Sequence, residues 1–96
     1  MNKQSKSVSV VVPVFRSVQS LPILVERVHQ TLVSLEHEIV LVDDGSPTDS
    51  WQMVSKLASA DSKVVGIRLG RNSGQHNALL AGIRAASLDL IVTIEH

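Results

Sequence analysis

The chain has 96 residues, 44% hydrophobic and 19% charged, and its nine basic and nine acidic side chains cancel to a net charge of zero. That length suits one small α/β domain or part of a larger one, and the balanced, scattered charge leaves no footprint for nucleic acid or an anionic membrane surface. Without cysteine there is no disulfide framework and no thiolate chemistry. No apolar run is long enough to span a bilayer, so a soluble, cytoplasmic protein is expected.

Strand and helix signals alternate along the chain. The β-branched run Val8, Val10, Val11 and Val12, stopped by Pro13, predicts a first strand over 8–12. Ser20 is placed to cap a helix with Pro22 in its first turn, and Leu21, Leu24, Val25, Val28, Leu32 and Leu35 fall on one stripe at helical spacing. The second strand is expected over 38–42. Its run Ile39-Val40-Leu41-Val42 is apolar without alternation, the pattern of a strand buried on both faces of a parallel sheet. Thr48 or Asp49 then caps a second helix whose Trp51, Val54, Leu57 and Ala58 face inward. A third strand over 63–69 leads through a glycine-bearing link, 70–74, to a third helix. Leu79, Leu80, Ile83 and Ala86 are its expected buried stripe. A fourth strand covers 89–94. Strands separated by helices of this length imply right-handed crossovers and a parallel sheet.

Only Glu95 and His96 follow the fourth apolar strand, so the chain reads as the N-terminal segment of a longer protein. Glu-His is also how a vector-encoded polyhistidine tail commonly starts, which leaves the native origin of those two residues open.

In a parallel sheet, ligands are read in the crevice beyond the carboxyl ends of the strands. Three connections are expected at that edge. They carry Pro13 to Arg16, the carboxylates Asp43 and Asp44 with Gly45 and Ser46, and Gly70 to Gly74 with Arg71 and Asn72. Carboxylates accept hydrogen bonds, arginine suits phosphate, and glycine admits a ligand to the backbone. The helix starting near Ser73 points its amide hydrogens to the same edge, where they favour an anion. A nucleotide fits that combination. Asp, Gly and Ser are also ordinary turn formers, so a plain turn over 43–46 is the competing reading.

The stretches Val10-Val11-Val12-Pro13-Val14-Phe15, residues 38–46 with Thr48-Asp49, and Arg71-Asn72-Ser73-Gly74-Gln75-His76-Asn77-Ala78-Leu79-Leu80-Ala81-Gly82 carry a family resemblance. In order and spacing they resemble the N-terminal half of the family 2 glycosyltransferases of GT-A fold. Within these the chain is most similar to the polyprenyl-phosphate, dolichyl-phosphate-mannose-synthase-like group. The resemblance implies a three-layer α/β/α, Rossmann-like nucleotide-binding half with a parallel sheet of order 3-2-1-4. It implies that Pro13, Val14 and Phe15 border the base and that Asp44 hydrogen-bonds it. Asp43 would shape the turn or approach the nucleoside, Arg71 and Asn72 would lie near the ribose and phosphates, and Gly74 would admit the backbone. Gly82 is expected to permit close helix packing only.

It further implies transfer of a sugar from a UDP- or GDP-sugar to a lipid-phosphate or glycan acceptor. The whole enzyme would use Mg²⁺ or Mn²⁺ and work in cell-wall or glycan biosynthesis at the cytoplasmic membrane face. The Asp-x-Asp motif that holds such a metal would follow the fourth strand and is absent from this sequence. The segment alone is therefore expected to bind nucleotide, carry no metal and no catalytic residue, and be inactive. Arg16-Ser17 stands where the family often has Asn-Glu, and Leu88 where a glycine is usual.

Other chemistry is weaker. His29, His37, His76 and His96 show no metal-ligand spacing; His29 is expected on a helix surface and His37 in the turn before the second strand. A hydrolase triad of Ser46, His76 and Asp44 lacks the nucleophile elbow. A flavodoxin-like receiver module needs acidic sites after the first and third strands, and a nucleotidylyltransferase needs a glycine-rich first loop; both patterns are missing. A bare fourth strand also predicts association of the segment with itself through that edge.

Overall fold

The computed structural model describes residues 6–14, 18–43, 50–70 and 74–94. Four parallel strands, β1 (Val8–Val14), β2 (His37–Asp43), β3 (Val64–Arg68) and β4 (Leu90–Thr93), form one sheet in the order β3-β2-β1-β4. Three helices, α1 (Leu21–Thr31), α2 (Ser50–Ala60) and α3 (Gly74–Ala85), connect them in turn. The predicted order 3-2-1-4 is the observed one.

Side-chain alternation sorts the sheet into two faces. Val8, Val10, Val12 and Val14 of β1 pack with Ile39 and Leu41 of β2 against Leu21, Val25 and Val28 of α1 and Val54 of α2. Val11, Val40 and Val42 point the other way, onto Ala78 of α3. The run from Ile39 to Val42 is wholly buried because β2 lies inside the sheet with helices on both sides. Burying each of these side chains fully contributes roughly 1.5–3 kcal/mol, so β1 and β2 are the centre of the core.

Pro13 does not end the first strand, as the sequence suggested; β1 runs through it to Val14. Val8 donates its N–H to Glu36 on the β2 side, whereas Val11 accepts from Ile94 on the β4 side. Successive strand residues alternate sides, so the missing N–H of Pro13 falls on the β4 side, past the last pair, Val11 with Thr93. No ladder bond is lost there, which is why proline is tolerated.

Ser20 makes no side-chain capping bond. A 3-10 turn, Val18–Ser20, runs straight into α1, so Ser20 has helical dihedrals (φ −90°, ψ −6°) in place of the extended ones that aim a capping side chain back at the helix. Leu35 lies past the helix end and is 37% exposed, outside the predicted stripe. Trp51, Leu57 and Ala58 line the inner face of α2 around Val54, as expected. Thr48 and Asp49, the expected caps of α2, lie outside the described residues.

The stripe of α3 agrees with the prediction in part: Leu79 and Ala86 pack against the sheet as expected. Ala78 and Gly82 are buried, while Leu80 and Ile83 are 39% and 40% exposed. A Cβ on Gly82 would overlap Val11 Cγ1 and sit 3.1 Å from Val42 Cγ2. The small residues let α3 lie directly on the sheet, and that contact turns the larger side chains aside. Gly66 does the same for α2, since a Cβ there would meet Val54 Cγ1 at 2.8 Å.

At the other end of the order, among the described residues, β4 pairs only with β1, and Leu90, Ile91 and Val92 are 44–46% exposed. Between α1 and β4 an apolar groove of about 310 Å³, lined by Val8, Leu24, Val28, Val92 and Ile94, is the part of that face α1 leaves open. It lies over the amino half of β1, away from the strand ends discussed next.

Candidate functional site

The register aligns three strand ends in one row. Val14 pairs with Asp43, and Asp43 with Arg68, so β1, β2 and β3 finish side by side at the carboxyl edge. Residues 15–17, 44–49 and 69–73 follow those ends directly in sequence, and α3 opens at Gly74. The three candidate connections thus begin, in sequence, at these aligned strand ends.

Asp43 is the described centre of that edge. Its side chain lies on the α1/α2 face of β2 and is fully buried. Ser50, the first residue of α2 and equally buried, donates its hydroxyl to Asp43 Oδ1. Arg68 Nε lies 3.9 Å from Asp43 Oδ2, with the arginine side chain 56% exposed, and Leu69 donates its N–H to the Asp43 carbonyl at 3.0 Å. The Arg68 guanidinium also sits 5.8 Å from the centre of the Trp51 ring, within cation–π range. A buried carboxylate is costly unless bonded. Asp43 uses its bonds to draw the start of α2 and the end of β3 onto the end of β2.

Pro13 and Val14 are fully buried too, Val14 within the α1/α2-side core. They form the floor at the end of β1. Gly74 is the first residue of α3, whose leading amides open at this edge. Phe15, Asp44, Arg71 and Asn72 lie outside the described residues, as do Ser46 and Arg16.

Sequence reasoning did not single out Ser50 or Arg68. The available signal was a hydroxyl at the predicted start of a helix following an acidic strand end, and a cation ending the neighbouring strand. It also missed two networks at the amino edge. On the α3 face, Ser9 Oγ donates to Glu38 Oε2 at 2.6 Å and accepts the Leu88 N–H at 3.1 Å, while Ser87 donates its N–H to the same Glu38 oxygen at 2.8 Å. Burial alone would push the Glu38 carboxyl up, but the bonds from Ser9 and Ser87 outweigh it and hold the group below its ordinary range. On the other face, His29, His37 and Asp61 bond in series. His37 is the first residue of β2 and is buried, not in the preceding turn, and His29 is bonded on both ring nitrogens, not simply a surface residue. Residues 8 apart across a tight turn carry no periodic signal, which is why the pairing of these two histidines was not legible.

Among the described residues no group of three or more His, Cys, Asp or Glu side chains is placed to hold a metal ion, and no helix is long and apolar enough to cross a membrane.

Residues 9–96 match the family model of glycosyl transferase family 2. The chain is 41% identical over 98 residues to the undecaprenyl-phosphate 4-deoxy-4-formamido-L-arabinose transferases of Yersinia pestis (strain Pestoides F) and Yersinia pseudotuberculosis serotype I. The match takes in 99% of this chain and 30% of those relatives, so the chain spans about a third of their length. Among solved structures, the mannosyltransferase PcManGT from Pyrobaculum calidifontis, in complex with GDP-Man and Mn²⁺, superposes with a TM-score of 0.80 at 17% identity, over 97% of this chain and 28% of that one. S. aureus TarS 1-349 superposes with a TM-score of 0.70 at 21% identity, over 93% and 27%. The two structures share the fold, and the family match extends over nearly the whole sequence. The chain belongs to glycosyl transferase family 2.

Proposed function

We propose that this chain is the nucleotide-sugar-binding portion, residues 1–96, of a glycosyltransferase that moves a sugar from a UDP- or GDP-sugar to an acceptor such as polyprenyl phosphate. The observation that carries the reading is the alignment of Val14, Asp43 and Arg68 at one edge, with α3 opening beside them, in a chain of this family. The acceptor class follows the relatives named as undecaprenyl-phosphate transferases. In this reading Asp44 accepts a hydrogen bond from the base, Phe15 packs against it above Pro13 and Val14, and Arg71 and Asn72 face the ribose and phosphates. Gly74 lets the diphosphate approach the first amides of α3, and Asp43 holds the turn from below.

A divalent ion belongs to the proposal for the whole enzyme, as Mn²⁺ accompanies GDP-Man in PcManGT. The described residues here do not converge on one, and no metal-dependent step is assigned to them. Without a metal on the diphosphate, the affinity of the chain for a nucleotide is expected on the order of millimolar, about 4 kcal/mol. Titration with UDP or GDP should shift amide resonances at the ends of β1, β2 and β3 and in the adjoining connections. Asp44→Ala should remove the effect, losing roughly 1.5–3 kcal/mol of charged hydrogen bonding, and sugar transfer should be undetectable. Shifts confined to other parts of the sheet would refute the site. The free edge of β4 supports a second copy as partner; light scattering that gives a strict monomer at high concentration would refute that part.

A further inference from the structure

At the amino edge, side chains from three elements form one continuous series of hydrogen bonds. His29 Nε2 donates to Asp61 Oδ2 at 2.6 Å, His29 Nδ1 lies 2.7 Å from His37 Nε2, and His37 Nδ1 donates to the Leu35 carbonyl at 2.9 Å. His29 sits on α1, His37 opens β2, and Asp61 follows α2 in the turn to β3. His37 is 5% exposed, and the His29 side chain 25%.

The two outer bonds fix where the ring hydrogens are. A carbonyl oxygen only accepts, so His37 Nδ1 carries a hydrogen. Asp61 is a carboxylate: the Lys63 N–H, 2.9 Å from Oδ1, is the main cause holding it below its ordinary range, against partial burial and with help from His29. It therefore accepts, and His29 Nε2 carries a hydrogen. Two neutral imidazoles have no more than these two hydrogens between them. The inner nitrogens would then confront each other with bare lone pairs at 2.7 Å. A third hydrogen between them turns that contact into a bond of ordinary length.

We infer that His29 and His37 hold one shared proton, and that the loaded series Asp61–His29–His37 clamps α1 and the α2–β3 turn onto the start of β2. The pair then carries one positive charge facing the Asp61 carboxylate. A proton suits the gap better than a metal, because two ring nitrogens with no third ligand among the described residues fall short of a zinc set.

The other charges around the pair are few. Lys63 stands behind Asp61 in the turn. On α1, Glu26 is bonded to Gln30, and Arg27 lines the groove towards β4. Next to His37, Glu36 is exposed and Glu38 is engaged with Ser9 and Ser87 on the opposite face. β1 sets Val8 beside His37, with exposed Lys6 two residues earlier. Of these groups only Asp61 bonds to the pair.

The clamp lies at the edge opposite the proposed nucleotide site and does not depend on that reading.

Nitrogen-15 spectra of the histidine rings in the whole chain test it directly. The expected result is hydrogen on His29 Nε2 and His37 Nδ1 and one further hydrogen shared by the inner nitrogens, seen as coupling of that hydrogen to both rings. Two neutral rings with no shared hydrogen overturn the proposal. In denaturation experiments His29→Gln, which leaves His37 without its ring partner, should weaken the folding equilibrium. If that variant does not fold, Asp61→Asn keeps an acceptor oxygen but removes the charge, and the signal of the shared hydrogen should weaken; an unchanged signal overturns the proposal. Stoichiometric Zn²⁺ uptake that is lost in Asp61→Asn would also overturn it, in favour of a metal site.

Discussion

The two edges of the sheet use polar residues in opposite ways. At the amino edge they bond one another across elements: Ser9, Glu38 and Ser87 on the α3 face, and His29, His37 and Asp61 on the other. At the carboxyl edge the buried carboxylate among the described residues is Asp43, bonded to the first residue of α2. The residues proposed to meet a nucleotide, Asp44, Arg71 and Asn72, come in sequence just past the strand ends. Polar character alone therefore does not mark a site in this fold. A polar side chain bonded within the sheet ties elements together, whereas a parallel sheet as a class reads its ligands beyond the strand ends.

The sharpest way to break this contrast is to remove the buried hydroxyl. Ser50→Ala takes from the Asp43 carboxylate a bond it needs in a water-free place, and should destabilise the chain by about 2 kcal/mol in urea denaturation. Ser50→Thr, which restores the hydroxyl, should recover part of the loss. A negligible cost would mean that the carboxyl edge is not organised around Asp43.

A smaller effect is expected at the amino edge. Glu38→Gln keeps one acceptor oxygen for Ser9 and Ser87 and should cost about 1 kcal/mol. Its pH signature is more telling. The folded Glu38 carboxyl lies below its ordinary range, so its contribution is complete above that range and is lost as pH falls through the depressed folded value. Urea denaturation at several pH values should thus show the stability advantage of wild type over Glu38→Gln shrinking as pH falls, the variant being the less pH-sensitive of the two. Equal sensitivity of the two would show that the Ser9–Glu38–Ser87 bonds do not hold the α3–β4 connection.

The smallest effect belongs to Arg68. Its guanidinium is more than half exposed and 3.9 Å from Asp43, so Arg68→Ala should change stability by less than about 1 kcal/mol, and less still in high salt. A loss larger than that of Ser50→Ala would make the ion pair, not the buried hydroxyl, the support of the carboxyl edge.

Much of this was readable residue by residue. The apolar run from Ile39 to Val42 named a strand covered on both faces, and burial of every member agrees. Trp51, Val54, Leu57 and Ala58 revealed the inner face of α2 because a helix repeats its contacts at fixed spacing. The same rule holds only in part on α3, where Leu79 and Ala86 pack on the sheet but the equally large Leu80 and Ile83 do not, because Gly82 pressed on Val11 sets which side of the helix meets the sheet. Pro13 was read as a stop because its missing N–H matters only on a bonded side, and which side it faces depends on pairing with β2 and β4.

The sequence by itself determined the alternation of strands and helices, the parallel central sheet and the motifs that place the chain in glycosyl transferase family 2. All of these rest on local periodicity and on residues close together in the chain. Only the tertiary structure decided that Asp43 is buried under Ser50, that Glu38 gathers Ser9 and Ser87, and that His29 meets both His37 and Asp61. Those partners come from different elements, and a hydrogen bond depends on distance and direction in space, which the spacing of residues along the chain does not encode.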